Sequence, residues 1–267
     1  MAAEPPPFRV GQPLAWTFHR GTARWVFNTI AVESPPPLPG REQPDAPWTP
    51  LPPGVNSEVG LSELLKRRVS CRAFTSEALT LPAIATLLRS AYGVLGSSVG
   101  GDVALFDRAV PSAGGLYPLE VSLLVRAVDG LSSGVHHYVP GADGLEQLRR
   151  DPLPHQLISY LFMGQPWVAQ AAVVVVLSGA TGRTLVKYGD RGYRYLLLEA
   201  GHAAQNVVLT ATALGLGAVC LGGFYDDELA TLLLLDIERE IPLYAMAVGV
   251  PTTQDRMGQR ALPLGSE

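Results

Sequence analysis

The 267 residues are 47% hydrophobic, enough to bury a sizeable core in one or two domains, which excludes disorder throughout. Twenty basic residues against 24 acidic ones give a net charge of -4, without the basic excess that nucleic acid or an anionic membrane surface would select. Only 16% of residues are charged, where an ordinary soluble domain has about 25%, so a second subunit is expected to cover part of the surface.

Cys71 and Cys220 are too few for a disulfide scaffold or a structural zinc site. The start, MAAEPPPFRVGQP, has no positive region followed by an apolar stretch, so no signal peptide and a cytoplasmic location are expected. A short N-terminal segment, residues 1–34, carries Trp16, Phe18, His19, Trp25 and Phe27 and is expected to dock on the body. Nine of the 23 prolines fall between Pro35 and Pro53, where lost donors and fixed φ forbid a regular helix or central strand. Residues 35–56 therefore read as an extended arm, and 57–267 as the main domain.

From Leu61 the pattern mixes helices and strands. SELLKRR predicts a short helix capped by Ser62, and LTLPAIATLLRSAYG a second, with Thr80 as cap, Pro82 in the first turn and Gly93 as stop. GVLGSSVGG reads as a loop. Leu119 to Val128 and GVHHYVP read as strands, Gly144 to Arg150 as a weak helix, and Leu153 to Phe162 as another. The β-branched run Ala171 to Gly179 suits a sheet interior. The longest helix should run from about Tyr193 to Leu214, with Leu196, Ala200, Ala203, Val207, Thr210 and Leu214 on one face and Glu199, His202 and Asn206 on the other. A strand (Ala218 to Gly222), a helix (Asp226 to Leu235) and a strand (Leu243 to Gly249) follow. The charge-free stretch Val207 to Phe224 is broken by glycines, and so reads as a buried helix entering a strand instead of a membrane span. Strands separated by helices predict an α+β or α/β layer structure.

The cluster GLGAVCLGG has Cys220 where GxGxxG needs its third glycine, and it follows a helix instead of opening one, so it is no dinucleotide site. There is no P-loop. His136 and His137, adjacent on a strand, would face opposite ways, and no metal site is expected. Arg68, Ser70 and Arg72 alternate at spacing two, so an extended backbone aims two guanidinium forks and a hydroxyl at one object, and a phosphate suits them. PSAGGLYP is a rigid turn whose glycines allow a flat ligand close to the backbone.

Taken in order, RRVSCRAF, PSAGGLYPLE, KYGDRGYRYLLLEAGHAAQN and PLYAMAVGVP resemble the nitroreductase superfamily, within it the SagB-type branch of thiazole- and oxazole-forming azoline dehydrogenases. The resemblance covers roughly Leu61 to Pro251. It implies an FMN-binding α+β fold with a central, mostly antiparallel sheet flanked by helices, forming a homodimer with flavins at the interface. It implies that Arg68, Ser70 and Arg72 hold the FMN phosphate and ribityl chain, with Arg256 or Arg260 adding a contact. Ser112, Ala113, Gly114 and Gly115 would line the isoalloxazine, from either subunit, and Gly222 and Gly223 would approach its other edge. Lys187 and Tyr188 match the Lys-Tyr pair associated with catalysis in that branch, whereas His136 stands where the family usually has an aromatic.

The expected activity is dehydrogenation of an azoline in a peptide or carrier-protein-bound substrate. Two alternatives stand beside it. One is an NAD(P)H-dependent nitroreductase or flavin reductase on the same fold; the other is an inactive, flavin-bearing assembly subunit that docks partners through its proline-rich arm.

Overall fold

Val173 to Val176 is a run of β-branched residues that can bury both faces of a strand, and the fold is built around it. The computed structural model describes residues 12–23, 45–100 and 103–253, together with Val10 and Gln43. In chain order come α1 (Pro13–Gly21), β1 (Trp48–Pro50) and α2 (Leu61–Arg67). Next are β2 (Leu79–Thr80), α3 (Leu81–Tyr92), β3 (Val94–Gly100) and β4 (Val103–Arg108). A 3₁₀ turn at Ala113–Gly115 precedes β5 (Leu119–Val125), β6 (Val128–Asp129), β7 (Gly134–Val139) and β8 (Gly144–Arg149). Then α4 (His155–Leu161) leads to β9 (Val173–Ala180), α5 (Thr181–Tyr188) and α6 (Arg191–Ala213). β10 (Gly217–Leu221), α7 (Asp226–Leu232) and β11 (Glu240–Gly249) follow.

The main sheet has the order β1-β8-β7-β5-β9-β11-β10, with every neighbouring pair antiparallel. Alternation along β9 sends Val175 to one face and Val174 and Val176 to the other. On the first face α3 and α6 contribute Ile84, Leu88, Ala203 and Val207. On the second, α4 and α7 contribute Ile158, Leu161 and Leu229. Each fully buried aliphatic side chain contributes roughly 1.5–3 kcal/mol, and two such layers make the α+β sandwich expected from the sequence. Among the described residues no helix is long and apolar enough to cross a membrane.

α3 begins and ends where its punctuation says. The Thr80 hydroxyl accepts from Ala83 N at 3.4 Å, and Gly93 closes the last turn. Four expectations need correction. α2 is capped by Gly60, and Ser62 lies inside it. Val94–Gly100 of GVLGSSVGG is not a loop but β3, paired with β4 in a hairpin. Gly144–Arg149 is a strand, because residues 140–143 turn the chain back on β7 and Asp143 takes φ +51° to do so. Its register on β7 outweighs the helix propensity of Leu145, Glu146 and Gln147. Finally, Glu199 joins the buried stripe of α6, three residues from Leu196 and four from Ala203, instead of the opposite side.

Candidate functional site

The RRVSCRAF segment continues the sheet past β10. Ser70 bridges Ala218 in parallel, and Cys71 N donates to Ala218 O at 3.0 Å. That pairing holds the backbone extended from Ser70 on: Cys71 is buried against Gly217, whereas Ser70 and Arg72 are exposed; Arg68, which ends α2, is half-buried, and so is Val69. The Arg72 guanidinium lies 5.8 Å from the centre of the Trp167 ring. Burial pushes the Cys220 thiol of β10 up, opposed by its hydrogen bond with Tyr244 and by the positive charge of Arg68. The Arg68 charge is thus felt at Cys220, two residues before Gly222 and three before Gly223. A Cβ on Gly222 would meet nothing nearer than Tyr244 at 3.8 Å, and one on Gly223 would touch Met163 at 3.4 Å. Two cations, a hydroxyl and uncrowded backbone there suit a phosphate carrying a flat ring.

The second group forms where α5 meets the PSAGGLYP turn. Gly114 takes φ +65°, and a Cβ there would lie 2.5 Å from Tyr188 Oη and 2.8 Å from Lys187 Nζ. The glycine thus admits the Lys-Tyr pair against the turn, a reason for it that the sequence did not disclose. Gly115, also at φ +65°, faces nothing within 4 Å. Gly189, at φ +54°, ends α5 directly after the pair. The Tyr188 ring meets Tyr195 edge-on with centroids 4.9 Å apart. Arg191 lies over Tyr195, Arg194 donates to Thr22 and His19, and Tyr193 meets Phe18, so α1 borders this end of α6.

Beneath the turn sits a carboxyl that the sequence reading passed over. Glu199 accepts from Tyr92 Oη at 2.6 Å, Tyr92 Oη accepts from Leu119 N at 3.1 Å, and Ser112 hydrogen-bonds to Glu199 as well. Burial raises the Glu199 carboxyl to about 6, with the bonds from Ser112 and Tyr92 and the nearby Arg108 holding it from rising further. Arg108 stacks between Tyr92 and Tyr117 at 4.5 and 5.2 Å from their ring centres.

A second buried polar chain crosses the sheet. His137 Nε2 is 2.8 Å from Glu120 Oε2 and its Nδ1 is 3.2 Å from Glu146 Oε2. Arg183 donates to the other oxygen of Glu120 and to Tyr117 O. Glu120 is held down to about 2: burial alone would raise it, and the bonds and charges of His137 and Arg183 outweigh that. His136, pointing the other way, meets Ser132 O at 2.9 Å. Two signals were available in the sequence. Arg183 stands four residues before Lys187, on the same helix face, and Lys187 is one of only two lysines among twenty basic residues. Arg256 and Arg260 lie outside the described residues. Among those described, no group of three or more His, Cys, Asp or Glu could hold a metal ion.

The pattern of the nitroreductase family matches residues 65–250. A nitroreductase-like protein of Methanocaldococcus jannaschii is 40% identical over 192 residues, which is 72% of this chain and 91% of that one. The microcin B17-processing protein McbC of Escherichia coli is 31% identical over 146 residues, 53% of this chain and 54% of its own length. Of solved structures, a nitroreductase-like protein of Anabaena variabilis superposes with a TM-score of 0.71 at 27% identity, covering 91% of this chain and 48% of that one. The E. coli microcin synthetase McbBCD complex with truncated pro-MccB17 bound gives 0.59 at 28% identity, covering 75% and 77%. The chain spans about half the length of McbC and of the Anabaena protein. A family pattern running over most of the chain, together with the archaeal relative and the shared antiparallel sheet, leads to one conclusion: the chain belongs to the nitroreductase family of oxidoreductases.

Proposed function

We propose that this protein is an FMN-dependent dehydrogenase of the SagB-type branch, converting a thiazoline or oxazoline in a peptide-derived substrate to the azole. The observation that carries the reading is the packing of Lys187 and Tyr188 against Gly114 of the PSAGGLYP turn. Likeness to a microcin B17-processing protein supports a peptide substrate. Arg68, Ser70 and Arg72 would hold the phosphate. Ser112, Ala113, Gly114, Gly115, Gly222 and Gly223 would border the ring, with Arg260 as a further contact. Residues 57–267 form the FMN domain in this reading, with 1–34 docked upon it and 35–56 as a connecting arm. Exposed Leu61, Leu65, Val186 and Leu198, on α2, α5 and α6, support a homodimer that covers apolar side chains of these helices.

Azole formation removes a hydride from one ring carbon and a proton from its neighbour while a C=C bond forms. Bound FMN supplies the hydride acceptor. Lys187 Nζ takes the proton, and the Tyr188 hydroxyl orients the ring beside it. A synthetic thiazoline peptide incubated with FMN-loaded protein should lose two mass units. A preparation that stays colourless in excess FMN, or leaves the peptide unchanged, overturns the reading. The second reading, an NAD(P)H-dependent nitroreductase, is favoured by the 40% identity to the archaeal nitroreductase-like protein. Rapid NADPH reduction of the bound flavin with turnover of a nitroarene would select it.

A further inference from the structure

We propose that Arg183 is a positioning residue: with Glu120, His137 and Glu146 it fixes the register of α5 and so sets Lys187 and Tyr188 against the PSAGGLYP turn. This rests on the catalytic reading of that pair above.

α5 is tied at its start by Thr181, whose N–H and hydroxyl donate to Arg239 O at 2.9 and 3.0 Å. It packs on α6 through Thr184 against Gly192; neither anchor lies in the turn that bears Lys187. Its two buried side chains are Arg183 and Thr184, so no apolar core position of its own dictates where the helix sits. Arg183 lies one turn before Lys187 on the same face. Its guanidinium forks: Nη1 donates to Tyr117 O at 3.2 Å, and Nη2 donates to Glu120 Oε1. Tyr117 lies in the PSAGGLYP turn at φ +44°, and Glu120 is the second residue of β5. One side chain therefore ties the helix bearing Lys187 both to the turn that receives it and to the strand that follows.

Behind Glu120 the chain of charges continues through His137 to Glu146, whose second oxygen accepts from Gln43 N at 2.9 Å. Both nitrogens of His137 face carboxylate oxygens, and the side chains of this network are exposed by only 1–9%. Buried ion pairs add little net stability over apolar packing of the same volume. What they do supply is direction, and a planar fork fixes a helix in a way that a point charge cannot.

Arg183→Lys tests this, since it keeps the charge but cannot reach both Tyr117 O and Glu120. Glu120→Gln, which keeps the shape and removes the charge holding Arg183, is measured beside it. In FMN-loaded protein with a synthetic thiazoline peptide, kcat should fall ~10²-fold, the cost of a small misplacement of a catalytic group, with KM and FMN affinity within about twofold of the parent. The second readout needs neither flavin nor substrate. Acetylation of Lys187 is followed by mass spectrometry against Lys66, the other lysine, and the Lys187-to-Lys66 rate ratio should rise several-fold in the variants. A changed ratio in either variant supports the proposal, and the parent's ratio in both overturns it. If Lys187→Ala oxidises the peptide at the parent's rate, the catalytic reading fails while the labelling result still reports on position.

Discussion

The two groups of candidate residues are held in opposite ways. The Arg68–Arg72 strip is fixed by its backbone, through the Ser70 bridge and the Cys71 hydrogen bond to Ala218, and Ser70 and Arg72 project into solvent. Lys187 and Tyr188 are fixed by what surrounds them: Gly114 on one side, Tyr195 on another, and the Arg183 fork one turn back. The first arrangement suits binding, because exposed cations can close on a phosphate and tolerate changes nearby. The second suits chemistry, where the position of one atom decides the rate. Mutations should therefore act locally and on affinity in the first group, and through neighbours and on rate in the second.

The largest expected effect is on rate. Lys187→Ala should lower azoline oxidation by about 10²–10⁴-fold while folding and keeping FMN, checked by the visible spectrum of the bound flavin. Tyr188→Phe should fall less. Comparable in size, about 3 kcal/mol, is the linkage at Glu120. Its carboxyl lies at about 2 in the fold against an ordinary 4.5, so the stability it contributes is present above pH 4.5 and lost as pH falls toward 2. Glu199 works the other way. Raised to about 6, it favours the fold most below pH 4.5 and loses about 2 kcal/mol of that contribution as pH rises through 6. Urea titrations across pH 2–7 should show the acid limb flattened in Glu120→Gln and the upper limb flattened in Glu199→Gln.

The glycines sharpen the comparison further. Gly114 and Gly115 share φ +65°, so alanine at either carries the left-handed strain, about 1–2 kcal/mol. Only at Gly114 does it also meet Lys187 and Tyr188. Gly114→Ala should cost more in melting temperature and should cut kcat, whereas Gly115→Ala should show the strain alone. The remaining effect belongs to the first group: Arg72→Ala should weaken FMN by about tenfold or more, roughly the 1.5–3 kcal/mol of a hydrogen bond to a charged group, and should change FMN affinity more than the melting temperature of the flavin-free protein.

The sequence disclosed what local chemistry determines. Thr80, Pro82 and Gly93 marked α3, the β-branched run marked β9, and Ser70 and Arg72 stand exposed on either side of buried Cys71. What it hid depends on distant partners. Gly144–Arg149 contains helix formers and becomes a strand because β7 pairs with it. Glu120, His137, Glu146 and Arg183 meet across separations of 9 to 63 residues, so no window of sequence contains the network. Glu199 reads as part of the polar side of its helix, and the Tyr92 hydroxyl that partners it in the interior comes from 107 residues away.

The strip from Ser70 to Thr75 also governs solubility. β1, at one border of the sheet, is three residues long and ends in Pro50, so it offers little to an incoming strand. The opposite border is β10, and there the strip lies beside it: Ser70 bridges Ala218 and Cys71 N bonds Ala218 O, while Thr75 N bonds Val250 O at 2.8 Å and Thr252 N bonds Ala73 O at 3.0 Å in the segment that follows β11. The backbone that presents Arg68, Ser70 and Arg72 is thus also the seal on an otherwise open row of peptide groups. Any ligand that steadies those side chains protects the seal, and peeling the strip away leaves β10, paired on its other side with β11, with an open edge, the template on which aggregates grow.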